Sequence, residues 1–196
     1  MMSERPDVSP LLQALYEGRT ADADQLLAES RQLDVFEAAA VGRAERVQEL
    51  LESDPALIEA WSPDGFQALH LAAFFGQTDA AEALLQQGAD PATVSRHQFV
   101  KVTPLHSAVA SEGAESLSTV EALLRHGAPV NARAEGGGTA LHSAAFNGNA
   151  AIVEALVAHG ADWDAAKDDG KTPRDLAREC GHDDLLEIAA SNARPS

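Results

Sequence analysis

Apolar residues return at helical spacing on both sides of a glycine, several times along the chain. Leu12 and Ala14 precede Gly18, and Leu26-Leu27 follow it by eight and nine positions. Ala38-Ala39 precede Gly42, with Val47 five positions later and Leu50-Leu51 eight and nine later. Gly76 has Ala72-Ala73 before it and Leu84-Leu85 at the same offsets after it. Each set predicts a short helix, a tight glycine turn and a second, antiparallel helix whose apolar face packs back on the first. The separation of Gly18 and Gly42 leaves no room for a long link between the first two pairs, so the N-terminal pair reads as a cap.

A second pattern runs in phase with the first. Leu69-His70-Leu71-Ala72-Ala73 leads to Leu84-Leu85-Gln86-Gln87-Gly88-Ala89-Asp90. Thr103-Pro104-Leu105-His106 leads to Leu123-Leu124-Arg125-His126-Gly127-Ala128, and Thr139-Ala140-Leu141-His142 leads to Gly160-Ala161-Asp162. Gly170-Lys171-Thr172-Pro173 is a weaker last copy. A unit of about 33 residues that cannot bury its own apolar face implies a stack of units sharing one continuous core. Two places depart from that length. The link from Ala89 to Val102 is long, and Glu112 to Ser118 holds three extra residues that should make the turn between helices project.

These motifs resemble the ankyrin repeat family over roughly residues 10–190, best in 64–92, 103–132 and 138–165. The resemblance is specific, because Thr-Pro-Leu-His-like, Gly and Gly-Ala-Asp-like elements recur in order. It implies an all-α ankyrin-repeat solenoid of stacked helix-turn-helix units with β-hairpin or loop fingers. The expected organisation is a flexible segment 1–9, a single repeat domain 10–190 and a tail 191–196. Within the domain we expect a cap at 10–33, repeats at about 34–63, 64–99, 100–135 and 136–167, and a C-terminal cap at 168–190. Departures are local. Gln67-Ala68 and Ala140 replace Thr-Pro or its proline, Arg174-Asp175 replace Leu-His, and the first units lack the Thr-Pro-Leu-His motif.

Alanine and leucine supply most of the 45% hydrophobic content and aromatics only 5%, which suits closely stacked short helices. The net charge is −17, spread along the chain, with 5 basic and 13 acidic residues in 1–59 and 6 and 11 in 133–196. A nucleic-acid partner needs a basic stripe, which this balance argues against, and a basic or mixed-charge protein fits it better. Cys180 is alone, the N-terminus has no apolar signal region, and no run approaches a membrane span. The expectation is therefore a cytoplasmic protein that does not engage membranes.

His70, His106 and His142 invite a metal reading. They fall on successive units separated by about 8–10 Å, too far apart to share an ion whose ligands lie about 2 Å away. A neutral imidazole that donates from one nitrogen and accepts at the other can instead tie adjacent units, and Thr103, Thr139 and Thr172 can cap the helices after them. Gly136-Gly137-Gly138 lacks the Lys-Ser/Thr of a phosphate loop, and Asp168-Asp169 and Asp183-Asp184 lack a calcium loop's alternating ligands. Cys180 has no base nearby in sequence. The expectation is no enzyme, no metal and no cofactor.

In the family, partners are held by finger tips and by inner-helix positions facing the concave groove. That placement implies a protein-binding surface at Trp61, Asp64, Phe66, Phe74 and Phe75, then Phe99 and Val102, then Arg133, Glu135, Phe146 and Asn147. Four of the chain's nine aromatics fall within 61–75, more than an Ala/Leu core can readily absorb. Trp61 is the firmest anchor, because a connection buries a large ring poorly, whereas Phe74 and Phe75 can also seal the layer between unequal repeats. The function expected is a non-catalytic scaffold or adaptor, with a structural protein or one that self-associates through the aromatic patch as the alternative, and an enzyme of unknown reaction as a more remote one.

Overall fold

The structure is a computed structural model that describes residues 8–29, 32–111 and 116–192, with side chains to 188. Twelve α-helices are present among the described residues, and no strand. They come in pairs: α1 (Pro10–Tyr16) with α2 (Thr20–Ala28), α3 (Val35–Ala40) with α4 (Ala44–Ser53), and α5 (Ala68–Phe74) with α6 (Thr78–Gln86). The series continues with α7 (Pro104–Ala110) and α8 (Ser116–Arg125), α9 (Ala140–Asn147) and α10 (Ala150–Ala158), and α11 (Pro173–Glu179) and α12 (Leu185–Asn192). The projecting turn expected at 112–115 lies outside the described residues, as do residues 1–7 and 193–196.

Two layers result. The odd-numbered helices pack in a row, each on the next, and α4, α6, α8, α10 and α12 form a second row behind them. Both rows share one core in which Leu69, Leu84, Leu105, Leu123, Leu141 and Leu156 are buried. Burial of a leucine side chain is worth roughly 1.5–3 kcal/mol, so its recurrence from unit to unit stabilises the stack. Small residues let the rows approach, and Ala72, Ala108 and Ala144 are fully enclosed at equivalent places. The α1–α2 pair keeps a smaller cluster of its own, Leu11, Ala14 and Ala23. Val8 packs beside Leu12, and Ser9 caps α1 by accepting the Leu12 amide at 3.3 Å.

The residue before each inner helix from α3 to α9 stands three positions ahead of a buried polar side chain, Glu37, His70, His106 or His142. Thr139 and His142 form a reciprocal cap, with the Thr139 amide and hydroxyl donating to His142 Nδ1 at 3.0 and 2.9 Å. Thr103 and His106 repeat it, at 3.4 and 2.8 Å. In the unit without the Thr-Pro-Leu-His motif, Asp34 and Glu37 do the same work. Asp34 accepts the Glu37 amide at 2.8 Å and Glu37 accepts the Asp34 amide at 3.3 Å. At α11, Asp175 substitutes for histidine and accepts the Thr172 hydroxyl at 2.7 Å.

The fingers between pairs are loops closed by single backbone bonds. Ser62 donates to Phe66 at 2.8 Å, Ala134 to Gly138 at 2.7 Å and Lys167 to Lys171 at 2.9 Å. The corresponding bond in the long finger runs from Ser95 to Val102 at 2.8 Å, so that finger carries three extra residues at its tip. Neighbouring fingers are joined edge to edge: Arg96 N–H to Gly65 O at 2.8 Å, Glu135 to Lys101 at 3.2 Å and Asp168 to Gly136 at 3.1 Å.

Candidate functional site

Helices α5, α7 and α9 and the fingers before them enclose one side of the stack. Between α5 and α7 lies an almost wholly apolar groove of about 230 Å³, lined by Tyr16, Phe66, Phe74, Val100, Val102 and Ala110. Ala110 also borders a second recess, with Ser143, Phe146, Asn147 and Lys167. The two recesses therefore meet at the end of α7.

The sequence-derived site residues divide into three groups. Phe99 and Phe146 are open, 72% and 57% exposed, and Phe74 is 39% exposed. Asn147 and Glu135 are also exposed, and Val102 lines the groove. Phe75 is half-buried and packs beside Leu12, Ala40 and Leu71, sealing the α1–α3–α5 layer. The remainder hold the scaffold. The Trp61 ring, half-buried, carries the Arg96 guanidinium at 4.2 Å from its centroid and faces His70. Asp64 accepts the Tyr16 hydroxyl at 3.0 Å. Phe66 stacks on His97 with centroids 5.3 Å apart and also lines the groove. Arg133 donates to the Ala166 carbonyl at 2.8 Å and stands 3.6 Å from Asp168. The ring expected to be most open is thus shared with a cation, and the exposed rings lie at a finger tip and at helix ends.

Tyr16 is the member that sequence reasoning missed. It touches Phe74 and Phe75, with centroids 6.1 and 5.5 Å away, and joins the N-terminal pair to the groove. Burial, with the Asp64 carboxylate beside it, pushes its phenol well above the usual range. A signal was available: Tyr16, Phe74 and Phe146 each stand two positions before the turn glycine, at Gly18, Gly76 and Gly148. Trp163, the other tryptophan, lies in the core at 5% exposure with Arg174 at 5.7 Å from its ring.

The three histidines bind carbonyls of the following unit. Nε2 of His70 lies 3.1 Å from Val102 O, that of His106 3.3 Å from Gly138 O, and that of His142 3.2 Å from Lys171 O. Donation from Nε2 leaves Nδ1 as the acceptor for threonine, which assigns the neutral tautomer. At His70 the threonine is replaced by Gln67, whose amide instead holds the Glu59 carbonyl at 3.2 Å, and Nδ1 has no partner. Among the described residues no group of three or more His, Cys, Asp or Glu side chains could hold a metal ion.

Burial lowers all three histidine pKa values, that of His70 to about 4. The unfolded chain, with histidine near 6.5, binds the proton more readily below that pH, so protonation favours unfolding. The contribution of His70 is complete above pH 6.5 and is lost as the pH falls toward 4. At pH 5 the loss amounts to about 2 kcal/mol. Urea titrations at pH 7 and 5 should show it in the wild type and not in His70→Gln. An equal pH slope in both proteins would exclude this origin.

A model for ankyrin repeats matches the chain three times in overlapping register, at residues 7–95, 35–134 and 105–195. Among curated proteins, a transient receptor potential cation channel subfamily A member 1 homolog from Caenorhabditis elegans is 36% identical over 157 residues, 80% of this chain and 12% of that protein. The B-cell lymphoma 3 protein homolog of Mus musculus is 38% identical over 136 residues, 69% of this chain and 29% of its own length. A probable E3 ubiquitin-protein ligase, XBOS31, from Oryza sativa subsp. japonica is 38% identical over 122 residues, 60% of this chain and 25% of that protein. The chain spans less than a third of each of these relatives. No helix among the described residues is long and apolar enough to cross a membrane.

Proposed function

Because the chain belongs to the ankyrin repeat family, whose repeats mediate protein–protein interaction, we propose that it is a non-catalytic scaffold or adaptor that binds a protein along the α5–α7–α9 groove and the adjoining finger tips. The observation that carries this reading is the apolar groove itself, lined by the exposed ring of Phe74, with Phe99 open on the finger that walls it and Phe146 open in the recess that meets it at Ala110. Aromatic side chains in such settings supply most of the short-range affinity of an interface. The inner helices hold them in one array before the partner arrives, which limits the ordering cost of binding. The surplus of carboxylates would steer a partner of basic or mixed charge toward the body of the solenoid. The proposal calls for neither a cofactor nor a catalytic group.

Affinity capture from the source-cell lysate with the wild type and with Phe74→Ala/Phe146→Ala tests it. Both rings are exposed, so the variant should keep its helical circular dichroism while its partner binds less tightly, by about 1–2 kcal/mol for each ring removed. Retention of the same partners by the folded variant would sink the proposal. The exposed rings equally allow self-association. Mass measured across concentration separates the two, since a vacant binding face stays monomeric.

A further inference from the structure

The stretch from Pro91 to Ser111 contains no aspartate or glutamate, in a chain that has 31 of them. It does contain Arg96, His97 and Lys101, and it forms the finger wall of the apolar groove. Val100 and Val102 line that groove, with Phe99 exposed beside them. The wall is well held. The Ser95 hydroxyl donates to the Val100 carbonyl at 2.5 Å and accepts the Val102 amide at 3.1 Å. Lys101, exposed, is thereby placed between two groove-lining residues. Arg96, on the same finger as Lys101, lies against Trp61 of the preceding connection.

Elsewhere on the molecule cations are commonly matched. Arg125 pairs with Glu82 at 2.6 Å, Lys171 with Glu179 at 2.6 Å and Arg174 with Asp164 at 2.8 Å. Arg96 and Lys101 have no carboxylate within ion-pair distance among the described residues. Glu135 approaches this finger with its backbone amide, at 3.2 Å from the Lys101 carbonyl, and its side chain pairs with neither cation. Two carboxylates, Glu17 and Asp64, line an adjoining recess with Tyr16 and Phe66, and Asp64 accepts the Tyr16 and Ser62 hydroxyls.

An apolar slot whose finger wall carries two exposed cations without carboxylate partners, on an otherwise acidic chain, is a charge pattern with a complement. The geometry points to this finger and groove as the docking site for a short acidic segment of a partner protein carrying a bulky apolar side chain. The apolar anchor enters between Phe66, Phe74, Val100 and Val102, and flanking carboxylates meet Lys101 and Arg96. The volume of about 230 Å³ is below the roughly 300–1,000 Å³ of small-molecule sites and suits one or two side chains. The overall charge of −17 opposes an acidic ligand only at long range. At physiological salt, charges beyond about 8 Å are largely screened, which leaves the local cations in control. The inference rests on the protein-binding reading above and narrows it: the partner is of mixed charge, with its acidic segment in the groove.

Short random peptides displayed on phage, selected on the full chain at physiological salt, test this directly. The expected outcome is enrichment of Asp or Glu beside Phe, Leu or Trp. A selected peptide, made synthetically, should bind Lys101→Glu at least about tenfold more weakly and Lys101→Arg nearly unchanged. Lys101 is exposed, so neither change should disturb folding. Enrichment of Lys or Arg would overturn the acidic assignment, as would selected peptides indifferent to Lys101→Glu. If those peptides were still lost with Phe74→Ala/Phe146→Ala, the protein-binding role would stand without it. A concentration-dependent dimer abolished by Phe99→Ala would assign the groove to a second copy of the chain and overturn the proposal. Failure of both the selection and the lysate capture would sink the two readings together.

Discussion

Replacing His106 by alanine should lower the unfolding free energy by about 3 kcal/mol. The ring is 6% exposed and makes bonds on both sides. Nε2 reaches the Gly138 carbonyl of the next finger at 3.3 Å, and Nδ1 accepts the Thr103 hydroxyl at 2.8 Å. Alanine would strand both partners, at roughly 1 kcal/mol each, and would leave a cavity between α7 and the following finger. Against a total stability of about 5–15 kcal/mol that is a large fraction. Because units in a solenoid touch only their neighbours, the damage falls on the coupling between the two halves of the stack. Urea denaturation followed by circular dichroism should show an earlier midpoint with the native helix content retained before it. An unchanged midpoint would exclude the linking role of His106.

Gly65→Ala should cost about as much and should act on binding more than on the stack. Gly65 has φ of +87°, where a Cβ costs about 1–2 kcal/mol in any surroundings. Here the added Cβ would also lie 2.6 Å from the His97 backbone nitrogen and 2.7 Å from the Arg96 carbonyl carbon. Neither atom can rotate away, so the long finger must move and the bond from the Arg96 amide to Gly65 O must break. We expect a further loss of about 1–2 kcal/mol from that displacement. Amide hydrogen exchange at Arg96 should accelerate, and groove ligands should be lost. Gly88 is the control: its φ is +94° but open space surrounds it, so Gly88→Ala should show only the conformational cost. Equal effects at the two glycines would refute the close-approach argument.

The glycine offsets and the leucine pairs were sufficient to read the helix pairs, because each helix meets its partner a few residues away and helical periodicity alone selects the buried face. The cap of α3 was legible too, although it was not read. Asp34-Val35-Phe36-Glu37 is a capping box that needs neither threonine nor histidine. Gln67 looked like a mere departure from the motif, yet its amide secures the preceding connection at Glu59, eight positions back in the chain.

The groove followed a different logic. Aromatic type and spacing nominated Trp61, Phe66, Phe74, Phe75, Phe99 and Phe146 alike, since all stand near finger or inner-helix positions. Their exposure depends on contacts from other units. Arg96 covers Trp61, His97 covers Phe66, and Tyr16 leans on Phe74 and Phe75 from the first helix pair. No local pattern encodes such meetings across 31 to 59 positions, because they arise only when the units stack and the long finger folds back on its neighbour. Net charge behaved the same way. The acidic total is a property of composition, whereas the exposed, unmatched Arg96 and Lys101 on the finger that walls an apolar slot are a property of where the chain brings its few cations. The repeating architecture is therefore carried by short-range periodicity, and the proposed binding surface by the long-range contacts that the stacked repeats create.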